Sequence, residues 1–249
     1  ASDAGSGIAI ILEGVRAFLS TNSQAKNDII ICLSDAEEIE LLGAVAFVNN
    51  HPWAENVGLA LNFEARGSGG PSYMLIETNG GNKKLIEAFS QANTPHPVAS
   101  SLMYSIYKLL PNDTDLTILR EDGDINGFNF AFIGDHFDYH TAQDTYERMD
   151  KKSLQHQASY LMPTLQYFSN SDLQQLNATD DLVYFNFPLI GLIYYPFSWV
   201  TPLFYISCLL FCVMLLLGIV KKRLSIRGML KGFIPCILSF LITGFIAVY

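Results

Sequence analysis

Apolar and polar positions along residues 1–181 follow two rhythms, one of helical period and one of short apolar runs. "GIAIILEGVRAFLS", "LLGAVAFVNN", "NKKLIEAFSQA", "VASSLMYSIYKLL" and "KSLQHQASYLMPTLQYF" repeat their apolar residues at helical spacing. "DIIICL", "NVGLALN", "SYMLIET", "DLTIL" and "NFAFIG" are short, apolar and bounded by turn residues, which predicts strands. Their alternation predicts an α/β protein, a three-layer sandwich with a largely parallel central sheet.

From Leu182 onward the rhythm disappears. "LVYFNFPLIGLIYYPFSW" is apolar and aromatic, with Pro188 and Pro196 interrupting any long helix. Three readings stay open for it: an interfacial segment, a pair of strands closing the domain, or an early start to a membrane span. Trp199–Val220 then runs 22 residues without a charge, enough to cross a hydrocarbon core of about 30 Å. A basic connection follows, and a second apolar run ends the chain at Tyr249. The expected organisation is a catalytic domain at 1–181, an apolar juxtamembrane segment at 182–198, a transmembrane helix at 199–220, a basic cytoplasmic loop at 221–232 and a second, truncated span at 233–249.

Charge sharpens this division. All 24 acidic residues lie at or before Asp181, against 10 Lys and Arg there, a net of −14, whereas the tail carries five basic residues and no acid. The basic residues cluster between the two apolar runs, which places that connection in the cytoplasm and the acidic domain on the other side of the membrane, in a lumen, a periplasm or the cell exterior. So acidic a domain excludes nucleic acid as a partner and leaves lipid, through the C-terminal helices, as one. The four cysteines show no metal-finger spacing; Cys32 falls in a predicted buried strand and the other three in the spans. The chain opens "ASDAGSG" without methionine and is expected to be a fragment of something longer.

Acidic residues and one histidine gather where the predicted strands end. Asp3 sits in a Gly-rich turn before the first helix. Glu37 and Glu38 follow the run ending at Leu33, Glu64 follows the run ending at Asn62, and His140 follows the run ending at Gly134. Open α/β sheets bind ligands at that edge. Carboxylates with an imidazole suit zinc, and a carboxylate can bridge two ions. Adjacent glutamates repel, each raising the cost of ionising the other. A cation offsets that repulsion, and in an extended loop one carboxylate ligates while its neighbour faces the attacking water. Position alone leaves open which does which.

Together "ASDAGSGIAIILE", "SDAEEIELLGA", "LNFEARGSGGPSYMLIET", "PNDTDLTIL" and "DYHTAQDTYER" resemble the co-catalytic zinc aminopeptidases, most closely the membrane-bound vacuolar membrane proteases and endoplasmic reticulum metallopeptidases. The resemblance covers about residues 1–170 in order and spacing. It implies two zinc ions bridged by Asp3, with Glu38 and His140 sharing one, Glu64 on the other and Glu37 as general base. It also implies a histidine in a His-x-Asp motif upstream of Asp3, which this chain does not contain, so the fragment as given is expected to be impaired. The implied activity is that of a membrane-anchored exopeptidase, an aminopeptidase acting on peptides.

Each residue has a plainer competitor. Asp3 could cap a helix, Glu37 and Glu38 could be first-turn acids, Glu64 could pair with Arg66, and His136 competes with His140. Asp144 is assigned either an orienting contact to His140 or a turn role. His51, His96 and His156 read as surface or cap residues. Two other functions share the fold: a glutaminyl cyclase, which a one-metal site would favour, and a receptor-like ectodomain that has lost its ligands. Triplets at Asn112 and Asn177 match the glycosylation pattern.

Overall fold

Strand β1 (Ala60–Ala65) runs parallel to β3 (Gly127–Gly134), and β2 (Gly69–Glu77) lies antiparallel along the other side of β3. The computed structural model describes residues 1–21, 24–110 and 113–248, and the triplet at Asn112 falls outside them. Among these residues the sheet is therefore small and mixed, where a largely parallel one was expected. Strand "SYMLIET" supplies the antiparallel member.

Alternation along the strands sorts residues to two faces. Phe128, Phe130, Phe63, Met74 and Ile76 point into one core with Ile10 and Phe18 of α1 (Gly7–Ser20) and Tyr160 and Phe168 of α6 (Lys151–Phe168). Phe63 stacks on Phe130 with ring centroids 5.0 Å apart, and Phe130 on Tyr160 at 4.8 Å. Each such fully buried side chain contributes about 1.5–3 kcal/mol, so this face anchors the sheet. On the opposite face a Cβ at Gly127 would meet Leu116 of α5 (Asp115–Glu121) at 2.6 Å. Helix α5 packs there with α2 (Leu42–Asn50). Helices α3 (Lys83–Gln91) and α4 (Ser101–Tyr107) lie between β2 and β3 in the chain, and Leu85, Ile86 and Phe89 of α3 complete the first core.

Two expected strands are not strands. "DLTIL" lies in α5. There the Thr114 N–H donates to Thr117 Oγ1 at 3.1 Å, and Asp115 and Arg120 occupy the first and last turns, where each complements the helix dipole. The five-residue alternation was too short to separate the two periods. "DIIICL" forms no strand among the described residues. It runs as irregular chain with Ile29, Ile30, Ile31 and Leu33 exposed, because no neighbouring strand covers them, and Cys32 is exposed rather than buried.

The apolar segment after Asp181 is a hairpin. Strands β4 (Leu182–Phe187) and β5 (Gly191–Pro196) pair antiparallel, from Leu182 opposite Pro196 to Phe187 opposite Gly191. Gly191 takes φ +91° to close the turn, a conformation glycine adopts without steric cost. Leu182 and Tyr184 are buried against the domain, and Asn186 Oδ1 accepts the Ala99 N–H at 2.6 Å.

Residues Ala1–Phe197 and Ser198–Tyr249 form separate compact units. In the second, α7 (Val200–Val220) and α8 (Ile226–Val248) belong to two stretches long and apolar enough to cross a membrane, Phe197–Val220 and Ile226–Ile246. Helix α8 begins at Ile226, so the basic residues divide between the connection and the first turns of α8.

Candidate metal centre

The chain before α1 winds through an irregular helical turn, Ser2–Ser6, and Asp3 departs from helical geometry inside it (φ −96°, ψ 117°). Gly7 lets this turn close onto the sheet, since a Cβ there would stand 2.3 Å from the Phe63 carbonyl oxygen. Asp3 is thereby carried to the edge where β1 and β3 end. Glu37 and Glu38 occupy the connection before α2. Expected to be extended, it is instead a run of tight turns: the Leu41 N–H donates to the Glu37 carbonyl at 3.0 Å, and Ala36, Glu40 and Leu41 hold left-handed φ of 56–58°. Such backbone costs on the order of 1 kcal/mol or more per residue and persists where surrounding contacts enforce it. His140, in the loop after β3, is also left-handed at φ 53°.

These segments bring three side chains together. His140 Nε2 lies 2.6 Å from Glu38 Oε1 and 3.4 Å from Asp3 Oδ2, and one donor atom from each residue falls within 4.8 Å of the others. They line an open concavity of about 370 Å³ with Thr141 and Asp144. Glu64 and Glu37 stand outside that trio. Glu64 is near the end of β1 with Asn62 Nδ2 donating to its Oε1 at 3.2 Å, and it forms no ion pair with Arg66 among the described residues. Glu37 is more buried than Glu38. His136 packs on Phe137 and is not in the trio.

Asp144 touches neither ring nitrogen of His140. Its carboxylate accepts the backbone N–H groups of Ser2 at 2.8 Å and Asp3 at 3.1 Å, which fixes the turn that presents Asp3. Several contacts had no signal in the sequence. Tyr139 stacks on His140 with centroids 3.7 Å apart, and the Arg66 guanidinium sits over the other ring at 5.6 Å. Two residues before His140, buried Asp138 accepts two hydrogen bonds from Arg148 Nε and Nη2 at 3.0 and 2.7 Å and one from Ser68 Oγ at 2.5 Å. That clamp ties the histidine loop to the start of β2. Ser34 hydrogen-bonds Asp115, joining the glutamate turn to α5. His156 is a structural pin: its Nδ1 accepts the Ser72 N–H at 3.0 Å and its Nε2 meets the His96 carbonyl at 3.0 Å.

Electrostatics make the cluster short of positive charge. Burial, then the Glu38 charge, raise Asp3 to about 6. Burial, then Glu38, Asp115 and Asp3, raise Glu37 to about 7. Burial, then Glu37, raise Glu64 to about 8, against the opposing hydrogen bond from Asn62. A cation placed among these carboxylates would oppose both the burial penalty and their mutual repulsion, since a unit charge at 4 Å is worth about 4 kcal/mol at an effective dielectric of 20. Two hard oxygen donors and an imidazole nitrogen suit zinc or a similar divalent ion. The residues present therefore fit a metal.

The family model for peptidase family M28 matches residues 1–165. This chain belongs to peptidase family M28. Its relatives include human "Endoplasmic reticulum metallopeptidase 1", 34% identical over 176 residues, covering 70% of this chain and 19% of the relative. "Vacuolar membrane protease" of Candida dubliniensis is 31% identical over 188 residues, covering 75% and 19%. "Putative endoplasmic reticulum metallopeptidase 1-A" of Caenorhabditis elegans is 26% identical over 238 residues, covering 93% and 26%. The M28 chain thus spans about a fifth to a quarter of the length of these relatives. No solved structure matches it. Members of this peptidase family generally use metal ions, typically zinc.

Proposed function

We propose that this M28 chain is the catalytic portion of a membrane-anchored, zinc-dependent exopeptidase, an aminopeptidase hydrolysing peptide bonds. The observation that carries the reading is the convergence of Asp3, Glu38 and His140 from three separate segments, with half-buried Glu37 beside them. In this reading Asp3, Glu38 and His140, with Glu64, would hold the zinc. Bound there, the metals would polarise the scissile carbonyl and lower the pKa of the attacking water. Glu37 takes the proton from that water and delivers it to the leaving amine. Burial, the largest influence on Glu37, raises its carboxyl above the usual carboxylate range, the direction that favours both transfers near neutral pH. Asp144 fixes the Asp3 backbone, and Tyr139 restrains the plane of His140.

The sheet is proposed to be larger and more parallel in the complete protein, as a three-layer sandwich requires. Support comes from the unpaired apolar chain at Asp28–Leu33 and from β1, which has β3 on one side alone among the described residues. The domain is proposed to face a lumen or other non-cytoplasmic space. The basic residues that follow Val220 support this by the positive-inside rule, as do relatives named for reticulum and vacuolar membranes.

One observation favours a second reading. Glu64 stands outside the trio, leaving a three-ligand cluster of the kind one metal takes, which is the arrangement expected of a glutaminyl cyclase. The deciding experiment uses the chain extended upstream to supply the second histidine, assayed on amino-acyl anilides and on amino-terminal glutamine peptides. The proposal expects anilide hydrolysis, lost by about 10²–10⁴-fold in Glu37→Gln with zinc retained, and loss of both zinc and activity in Glu38→Gln. Cyclisation without hydrolysis in the wild type would establish the second reading instead.

A further inference from the structure

The hairpin β4–β5 is apolar on both faces. Cross-strand partners share a face: Leu182, Tyr184, Asn186, Leu192 and Tyr194 form one side, of which Leu182 and Tyr184 are buried against the domain while Tyr194 is exposed. On the other side Val183, Phe185, Ile193 and Tyr195 are half-buried and Phe187, next to the turn, is exposed. A hairpin with one solvated face carries polar residues there; this one carries a single hydroxyl. Its turn is more apolar still. Pro188, Leu189 and Ile190 project from the domain, with Leu189 108%, Ile190 69% and Phe187 48% exposed.

The sequence around the hairpin indicates what covers it. From Leu182 to Val220 there are 39 residues without Asp, Glu, Lys, Arg or His. The membrane-length stretch accounts for Phe197–Val220, and the 15 residues before it are the hairpin. Chain continuity bounds its reach: from Leu189 to Val200 the backbone extends at most about 40 Å, comparable to a bilayer with its headgroups. Tyr194, Tyr195 and Trp199 add the side-chain types enriched at membrane–water interfaces.

We propose that the β4–β5 hairpin is a membrane-inserting wedge, whose exposed tip, residues 187–190, enters the interfacial layer of the bilayer that α7 spans. The occupant is the headgroup–acyl boundary itself. The wedge gives the acidic domain a second attachment besides its covalent link, and so restricts its orientation over the lipid. The inference rests on the proposed membrane anchoring through α7 but not on the proposed peptidase activity, since none of its residues belongs to the metal centre.

The test uses the full chain in phosphatidylcholine vesicles, with the four native cysteines replaced by serine and a fluorophore attached at Leu189→Cys or, independently, at Ile190→Cys. Gln174→Cys, on an exposed turn of the same domain, is the reference, and circular dichroism checks each variant for folding. The proposal expects lipid-borne nitroxides to quench residues 189 and 190 at a depth of about 5–10 Å below the phosphates, with little quenching by aqueous iodide. Residue 174 should show the reverse. Iodide quenching at 189 and 190 equal to that at 174 would overturn the wedge. Protection from both quenchers would also overturn it, because protein, from another segment or a second copy, would then cover the hairpin.

Discussion

Asp144 holds Asp3 by its backbone rather than by its side chain: the carboxylate accepts the Asp3 N–H at 3.1 Å while Asp3 Oδ2 faces His140 at 3.4 Å. The contact leaves the Asp3 carboxylate free and fixes the turn that aims it. Asp144→Ala is therefore expected to weaken zinc binding by about 10–100-fold, the usual cost of losing an outer partner of a ligand. At a fixed zinc concentration the zinc-loaded protein should also melt at a lower temperature, because the weaker ligand stabilises the fold less. Competition with a chelating dye measures the affinity; an unchanged value would show that the turn holds itself.

The raised carboxylates predict how the metal-free protein responds to pH. Asp3, Glu37 and Glu64 sit at about 6, 7 and 8 in the fold and near 4 when unfolded. Between those values the native state binds more protons than the unfolded one, so stability falls as pH rises. Their favourable contribution is fully present below about pH 4 and is lost as pH passes through 6 to 8. Thermal unfolding of the metal-free chain should accordingly show a lower midpoint at pH 8 than at pH 6. Zinc should reverse the order, because binding displaces those protons and strengthens with pH. Parallel curves with and without zinc would contradict the clustering.

Gln157 of α6 couples the first core to the site. Its Nε2 donates to the Glu64 carbonyl and the Phe130 carbonyl, both at 2.7 Å, joining β1 and β3 from a wholly buried position. Gln157→Leu removes the donor and leaves two buried carbonyl contacts unmet, at about 1–3 kcal/mol. Urea unfolding should show that loss with an unchanged slope. A neutral result would mean that the carbonyls are satisfied without the side chain.

What was readable from sequence follows from how local each signal is. Helices α1, α2 and α6 and strands β2 and β3 announce themselves by period, and the glutamate pair and "DYHT" by chemistry that neighbouring residues supply. "DLTIL" failed because five residues do not separate strand from helix, and its cap partner Thr117 lies inside the run that was read as strand. "DIIICL" carries strand chemistry, yet a strand exists by pairing, and no strand pairs with it among the described residues. For Asp144 the sequence offers an orienting contact to His140 or a turn role; its N–H does close a turn onto the Thr141 carbonyl, and its carboxylate binds Ser2 and Asp3, over 140 residues away, which local sequence does not signal. Tyr139 and the Ser68–Asp138–Arg148 clamp required the loop's fold to be seen. The sequence leaves the hairpin as one of three readings, since an apolar aromatic segment suits strand, interface and span alike.

The most direct test of the central claim is the zinc content of the upstream-extended chain, measured by mass spectrometry on the purified protein. The account predicts about two zinc per chain, falling in Glu64→Gln to about one and unchanged in Glu37→Gln. One zinc in the wild type, unaffected by Glu64→Gln, would contradict the two-metal centre and leave Asp3, Glu38 and His140 as a single-ion site.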